Sequence, residues 1–546
     1  MLENGVDRTT LAACEEVAEK DNIDAVCLYG SRVCGYARAD SDYDVLLVLK
    51  DYAQGVKYSY EEVDGHQFAI LLVDKAALDL DAAKGSFGDF IAGRLTSPYI
   101  PLRNAAYLDA VEFTTKRRFA EEDLEDLVIE YEDLARGLVI KPEYLVLARM
   151  RKRSRGYHPL KYSYINMLRE DLREQNMAAI LRGYRKALQA LAASKIIKFD
   201  GTDVVFTNDY VDQILSSKTL NKVVNLVDVS RRALSAYITH GRAGRVTLDV
   251  FTMELTSKIK RELQLVFKRL ELEDPKAHLF LKTDEGLMCL NEKSTMVDLV
   301  QRLRNEDHVE VNPLASSLND VYAITLDDEN LVVKKFTNWY TFKWFMLNIA
   351  AYGTKSFSLS GKARLANEYG INRLLTDHEV RVPEIVAISV KDRVLIERHI
   401  DGASALDFCI AAFRLNELTP RQKRLAFELG RILAQIHALN VVLGDCKPEN
   451  FIIGDKDHIY VLDLEQGERG GDKTWDVAEF LYFAGHFGTR FTGGLHEFVV
   501  KFTEGYRQIG DRTVLRRAAG LRYSRVFLGW TTMPIIQSIA SILKAL

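Results

Sequence analysis

The chain has 546 residues, 47% hydrophobic and 27% charged, an ordinary globular composition with material for several cores of ~100 to 200 residues each. A net charge of −4 gives no whole-chain case for nucleic-acid binding, so any basic surface has to be local. The six cysteines (Cys14, Cys27, Cys34, Cys289, Cys409 and Cys446) show no CxxC spacing, which excludes a zinc framework and a disulfide scaffold and fits a reducing cytoplasm.

In chain order, an amphipathic helix over 10–20 leads into an apolar run, Ala25 to Tyr29, that stops at Gly30-Ser31. A second strand is expected over 43–49, and a third over 67–73 is apolar throughout and so buried on both faces. After Val111 the sequence turns charged and helix-forming, as in 121–138. Two amphipathic helices between Tyr162 and Ile196 precede two short strands joined by Asp200-Gly201, a succession that resembles a winged helix-turn-helix. A helical stretch over 248–270 comes before the last domain. The longest uncharged stretch, 526–543, contains Pro534 and Gln537 and is too polar for hydrocarbon, so it is expected to be a buried helix and not a membrane span.

The first chemical motif is Gly30-Ser31, then Gly35, then Ser41-Asp42-Tyr43-Asp44 at the start of a strand. A glycine lets backbone approach a triphosphate, Ser31 can donate to a phosphate oxygen, and two aspartates spaced by two along a strand point to one face, as a divalent cation bridging phosphates requires. The alternative is a glycine turn followed by a solvated acidic turn. The ordered set, over residues 10–110, resembles the minimal nucleotidyltransferases of the DNA polymerase beta superfamily. That resemblance implies a site built from Gly30, Ser31, Asp42 and Asp44. Active members carry a third carboxylate on a later strand that helps deprotonate the attacking hydroxyl. The strand here has no acid inside it, so Asp64 before it or Asp74 after it is expected to serve, the alternative being a nucleotide-binding or degenerate role.

A second set lies nearer the C-terminus, where Gly444-Asp445-Cys446-Lys447-Pro448-Glu449-Asn450-Phe451 is followed by Ile459-Tyr460-Val461-Leu462-Asp463-Leu464-Glu465. These stand in the order and separation of a kinase catalytic loop and metal loop. Asp445 would accept the proton of a substrate hydroxyl, Lys447 would neutralise charge on the transferring phosphoryl group, and Asn450 and Asp463 would hold Mg²⁺. Upstream, Lys334 ends a strand, Glu368 is its expected partner in a helix over 362–375, and Glu397 in Val394-Leu395-Ile396-Glu397 falls at the expected hinge to adenine. Asp476 is expected to brace the catalytic loop. Seven such features in sequence order resemble protein-kinase-like folds of the RIO and aminoglycoside-phosphotransferase type. The phosphate loop has no glycine, with Ser316 and Ser317 in its place, so nucleotide binding there is expected to be weaker. Leu443-Gly444 replaces the usual basic residue before the aspartate, and no Ala-Pro-Glu closes an activation segment, so control by phosphorylation is not expected.

Arg149, Arg151, Lys152, Arg153 and Arg155, with Tyr157, Tyr162 and Tyr164 nearby, are either a nucleic-acid stripe or the internal partners of the acidic stretch 121–132. The histidines show no metal-ligand spacing, and no Gly-x-Ser-x-Gly turn supports a hydrolase.

The expected architecture is multidomain α+β. A nucleotidyltransferase-like mixed sheet with helices occupies 1–110, a helical and winged-helix region 111–245, a helical connector 246–311, and a bilobal protein-kinase-like domain 312–546. Such fusions resemble uncharacterised archaeal proteins. The resemblances imply ATP-dependent, Mg²⁺-dependent phosphoryl transfer, with Mn²⁺ as a substitute metal and nucleotidyl transfer as an additional activity. The acceptor would be a protein, RNA or small-molecule hydroxyl, with nucleic acid as a partner of the middle region and no membrane. Two rivals are a nucleotidyltransferase acting on RNA or protein whose kinase domain senses ATP, and a nucleic-acid-binding regulator with degenerate enzyme domains.

Overall fold

The computed structural model describes residues 5–156, 159–216, 235, 239, 272–291, 311–313, 320–326, 329–337, 358, 360–488, 491–529 and 531–546. They fall into two compact units, residues 1–130 with 139–279, and residues 131–138 with 280–546. The expected helical stretch 248–270 and Ser316 and Ser317 lie outside the described residues.

The first unit begins with α1 (Val6–Val17) and a five-stranded sheet of β1 (Ile23–Tyr29), β2 (Tyr43–Leu49), β3 (Val56–Val63), β4 (His66–Asp74) and β5 (Ile100–Arg103). Strand order is β3-β4-β2-β1-β5, with β2 and β4 parallel and the other pairs antiparallel. The sheet is covered on both sides, which explains the unbroken apolar run of β4. Tyr43, Val45, Leu47, Phe68 and Ile70 pack toward α1, while Cys27, Tyr29, Leu46, Leu71 and Val73 pack toward α2 (Lys75–Lys84) and the following loop. Strands β3 and β5 were not expected from sequence, although Val-Lys-Tyr-Ser-Tyr-Glu in β3 alternates as a half-exposed strand should.

The loop after α2 has little regular structure, and one side chain gathers four of its amides. Asp81 is fully buried and accepts from four backbone amides, those of Phe87 (2.8 Å), Asp89 (3.2 Å), Ile91 (3.1 Å) and Ala92 (3.0 Å). This fixes the 3-10 turn Ala92–Thr96, which carries Arg94.

The helical region follows as α3 (Ala105–Tyr131), β6 (Leu138–Ile140), α4 (Glu143–Gly156), α5 (Pro159–Met167) and α6 (Glu170–Ala193), then the hairpin β7 (Ile197–Asp200) and β8 (Asp203–Phe206) and α7 (Asn208–Ser216). Gly201 at φ +63° makes the hairpin turn, and Val139 and Ile140 add a third strand to β8.

In the second unit β9 (Leu279–Thr283) and β10 (Gly286–Cys289) form a hairpin. An antiparallel sheet follows from β11 (Val311–Pro313), β12 (Asp320–Leu326), β13 (Glu329–Lys335), β14 (Ile385–Ser389) and β15 (Val394–Arg398), in the order β11-β12-β13-β15-β14. Helix α8 (Gly361–Asp377) lies between β13 and β14 in the chain and is capped by Ser360. The larger lobe contains β16 (Ala403–Ser404), α9 (Ala405–Phe413), α10 (Pro420–Ala438), β17 (Val441–Val442), β18 (Phe451–Ile453), β19 (Ile459–Val461), β20 (Glu468–Arg469), α11 (Lys473–His486), α12 (Gly493–Tyr506), α13 (Arg512–Ala518) and α14 (Met533–Lys544). One apolar core joins these helices, with Phe451, Phe480, Phe498 and Phe502 in mutual ring contact. Part of the uncharged stretch 526–543 forms α14, which buries Ile535, Ile536, Ile539 and Leu543 in that core. Among the described residues no helix is long and apolar enough to cross a membrane.

Candidate active sites

In the second unit, the register Val332↔Glu397 and Lys334↔Leu395 puts Lys334 and Glu397 on one face of the sheet. Lys334 Nζ lies 2.8 Å from Glu368 Oε1 of α8 and 2.9 Å from Glu397 Oε1 of β15. All three side chains are buried. Burial alone would favour a neutral lysine, but Glu368, Glu397 and Asp463 outweigh it and hold the ammonium charged well above its ordinary range. The same burial drives Glu368 and Asp463 well above the usual carboxylate range, against the opposing pull of Lys334. The pairing of Lys334 with Glu368 is the expected one. The Glu397 side chain, expected at an adenine hinge, is spent on the lysine.

Helix α8 has a second hold on the site. Four residues before Glu368, the fully buried Arg364 places Nη1 3.1 Å from both carboxylate oxygens of Glu465 and donates through Nη2 to the Thr337 carbonyl, while Asn367 Nδ2 donates to the Glu465 carbonyl at 3.1 Å. Glu465 lies two residues after Asp463. Here it ties the Asp463 loop to the helix that orients Lys334.

The catalytic loop is braced from α11. Asp476 accepts from the amides of Leu443 (2.6 Å) and Gly444 (2.9 Å), Glu479 accepts from the amide of Cys446 (2.7 Å), and Trp475 Nε1 donates to the Gly444 carbonyl at 3.0 Å. Gly444 has φ +73°, a backbone conformation that favours glycine. His437 Nε2 lies 3.1 Å from Asp476, and its Nδ1 lies 2.6 Å from the Tyr506 hydroxyl. So supported, Asp445 and Lys447 project together, 2.7 Å apart and partly exposed, and Asn450 Nδ2 donates to the Asp445 carbonyl at 2.8 Å. Glu479 was not anticipated. Its spacing of three from Asp476 on a helix was the available signal, since it places both acids on one face.

In the first unit, Gly30 has φ +80°, and a Cβ there would fall 1.9 Å from Asp44 Oδ2, so only glycine lets the loop close over that carboxylate. Asp44 is half-buried and accepts from the Ser31 amide; desolvation pushes it up to about 6, with Arg94 pulling down and Asp42 pushing up. Burial also raises Asp42, against the pull of Arg32. Gly30, Asp40, Asp42 and Asp44 line a cavity of 390 Å³ together with Ser31, Arg38, Arg94, Arg153 and Tyr162.

The expected third acid is corrected by the register. Asp44 sits opposite Ala69 of β4, so odd-numbered β4 residues share its face, and Asp64 and Asp74 have the opposite phase. Asp64 lies in the β3–β4 turn at φ +52°, and Asp74 caps α2 by accepting from Ala77 while also accepting from the Tyr52 amide. Neither belongs to the cavity wall.

Residues 330–483 match the lipopolysaccharide kinase (Kdo/WaaP) family, and residues 13–76 match the polymerase beta nucleotidyltransferase domain. The chain carries two domains of phosphorus-group transferases. The kinase match spans Lys334 through Glu479, and the nucleotidyltransferase match spans Gly30, Ser31, Asp42, Asp44 and Ala69. No curated protein matches the chain.

Beside the nucleotidyltransferase domain, the basic cluster of α4 is largely occupied. Arg149 is buried, bonded to both oxygens of Asp123 (2.9 and 3.0 Å) and to the Phe119 carbonyl, which removes it as a nucleic-acid contact. Arg151 pairs with Asp274 at 2.9 Å and Lys152 with Asp126 at 2.9 Å, while Arg155 is exposed. Asp123 and Asp126 belong to the acidic α3, which is the internal-partner reading of this cluster. Arg153 turns instead to the cavity. Its guanidinium donates to the Asp89 carbonyl (2.8 Å), the Gly93 carbonyl (3.2 Å), the Tyr164 hydroxyl (2.8 Å) and the Thr96 hydroxyl (3.3 Å).

Proposed function

We propose that the second unit transfers the γ-phosphoryl group of ATP to a hydroxyl, with Asp445 accepting the hydroxyl proton, Lys447 offsetting charge on the phosphoryl oxygens and Lys334 holding the α and β phosphates. The observation that carries this reading is Lys334 seated between Glu368 and Glu397 while the braced loop presents Asp445 and Lys447 side by side. Asn450 and Asp463 would hold Mg²⁺, which supplies charge neutralisation at the β and γ phosphates. Among the described residues no group of three or more His, Cys, Asp or Glu is placed to hold a metal by itself. The first unit would bind a nucleoside triphosphate over Ser31 and transfer its nucleotidyl group, with Asp42 and Asp44 holding the metal.

Incubation with ATP labelled at the γ or the α phosphate tests both readings. Transfer of γ label that disappears in Asp445→Ala supports the kinase assignment, and unchanged labelling in that variant refutes it. Transfer of α label that disappears in Asp42→Asn supports the first unit, and its persistence refutes that site.

A further inference from the structure

Lys334 already has anionic partners before a nucleotide reaches it. A lysine ammonium carries three N–H donors and no acceptor. Here Nζ donates to Glu368 Oε1 at 2.8 Å and lies 2.9 Å from Glu397 Oε1, so carboxylates take up two sides of the group. Each acid gives the lysine one oxygen. The other oxygen of each, Oε2, is buried without a hydrogen-bond partner among the described residues. Asp463 acts on the same ammonium as a third negative charge. A phosphate approaching Lys334 therefore meets a cation that the protein has itself neutralised.

The two carboxylates are not held alike. Glu368 belongs to α8, which Arg364 and Asn367 tie to Glu465 on the Asp463 loop, so shifting that helix would disturb the loop as well. Glu397 rises from β15 two positions beyond Leu395, the residue that faces Lys334 across the ladder. In a diagonal pair of this kind the two residues stand roughly 7–8 Å apart and meet only through long side chains. Rotating the Glu397 side chain to another staggered position ends the contact without moving the strand. Of the lysine's two close partners, Glu397 is the one that can yield.

We infer that Glu397 is a positioning residue that competes with nucleotide phosphate for Lys334: it holds the lysine until ATP arrives and is exchanged for a phosphate oxygen when ATP binds. The exchange leaves a buried carboxylate without its cation, a cost that opposes binding. Glu397 thus lowers nucleotide affinity, and the phosphates add little to the affinity of the nucleoside alone. No covalent bond changes in this step. The inference rests on the kinase reading of the second unit.

The test reads γ-label transfer by the full chain to a total cellular extract, so that it reports on the second unit alone. Glu397→Gln keeps the shape and one oxygen for Lys334 but removes the charge. It should lower the KM for ATP and the inhibition constant of ADP at least ~5-fold, without a matching rise in kcat, and leave the inhibition constant of adenosine unchanged. Unchanged or weaker ADP inhibition in that variant, with a wild-type unfolding profile, overturns the inference; so does an equal gain for adenosine, which would report a reshaped base pocket. If the variant does not fold, the wild type decides: ADP should inhibit no more than ~10-fold better than adenosine, and a larger ratio overturns the inference. Either of these results, obtained with γ label still transferred, leaves the kinase reading intact. Absence of γ transfer by the wild type refutes that reading, and the inference falls with it.

Discussion

The two sites solve the same electrostatic problem in opposite ways. In the kinase domain the acids are bound into the fold: Asp476 and Glu479 hold three loop amides, Glu368 and Glu397 hold one lysine, and Glu465 holds Arg364. In the nucleotidyltransferase domain Asp40, Asp42 and Asp44 stand at a cavity whose other charged groups are Arg38, Arg94 and Arg153. The first arrangement fixes Lys334 and the loop that carries Asp445. The second leaves a cavity in which three acids and three arginines stand together.

The contrast can be broken at several points. Asp445→Ala should lower kinase turnover by about 10³ to 10⁴-fold with ATP affinity little changed, measured by steady-state kinetics and nucleotide titration; loss of ATP binding in parallel would mean the loop itself had collapsed. Lys334→Met should cost about 10²-fold or more in rate. It also leaves Glu368 and Glu397 buried without their cation, which should destabilise the second unit by roughly 3–5 kcal/mol in urea unfolding. Adding Glu397→Leu should recover part of that loss, and no recovery would show that Glu397 does not share the lysine. Arg364→Gln should slow turnover by about 10-fold by freeing Glu465 from α8, with the double variant Arg364→Gln, Glu465→Gln little slower than the single.

In the nucleotidyltransferase domain the expected effect has the opposite sign. Asp44 is raised from 3.8 to about 6 in the fold. The folded state therefore binds its proton more tightly than the unfolded state, and ionised Asp44 destabilises the unit as pH rises from 3.8 toward 6. At about 1.4 kcal/mol per tenfold change in proton affinity, the cost is roughly 3 kcal/mol above pH ~6. Asp44→Asn should accordingly abolish nucleotidyl transfer while raising the unfolding midpoint at pH 8, with the gain shrinking toward zero by pH 4. A gain that does not vary with pH would assign it to packing. The smallest effect is expected from Arg151→Ala, whose pair with Asp274 is two-fifths exposed, at under ~1 kcal/mol by the same unfolding assay.

What could be read in advance follows from where each residue's partner lies. Asp445, Lys447, Asn450 and Asp463 sit in two short segments whose order in the chain already carries the pattern. Lys334 and Glu368 required only a strand end and a helix. Glu397 was legible as a site residue but not in its role, because its contact with Lys334 depends on the register between β13 and β15. The third acid failed for the same reason: counting phase from the ends of β4 favoured Asp64 and Asp74, whereas the parallel pairing with β2 selects Ala69. The basic run of α4 could not be apportioned from sequence, since Arg149, Lys152 and Arg153 are adjacent in the chain yet go to an ion pair with Asp123, an ion pair with Asp126 and the cavity wall.

Asp81 has a consequence that no rate would reveal. An irregular surface loop ordinarily exchanges its amide hydrogens quickly, because water reaches each one as soon as the chain flexes. The amides of Phe87, Asp89, Ile91 and Ala92 all end on one buried carboxylate, so they can open only together. In deuterium they should form a slow-exchanging island in a stretch without sheet ladders, and Asp81→Asn, which leaves a single oxygen to share among them, should dissolve that island before the neighbouring strands begin to exchange.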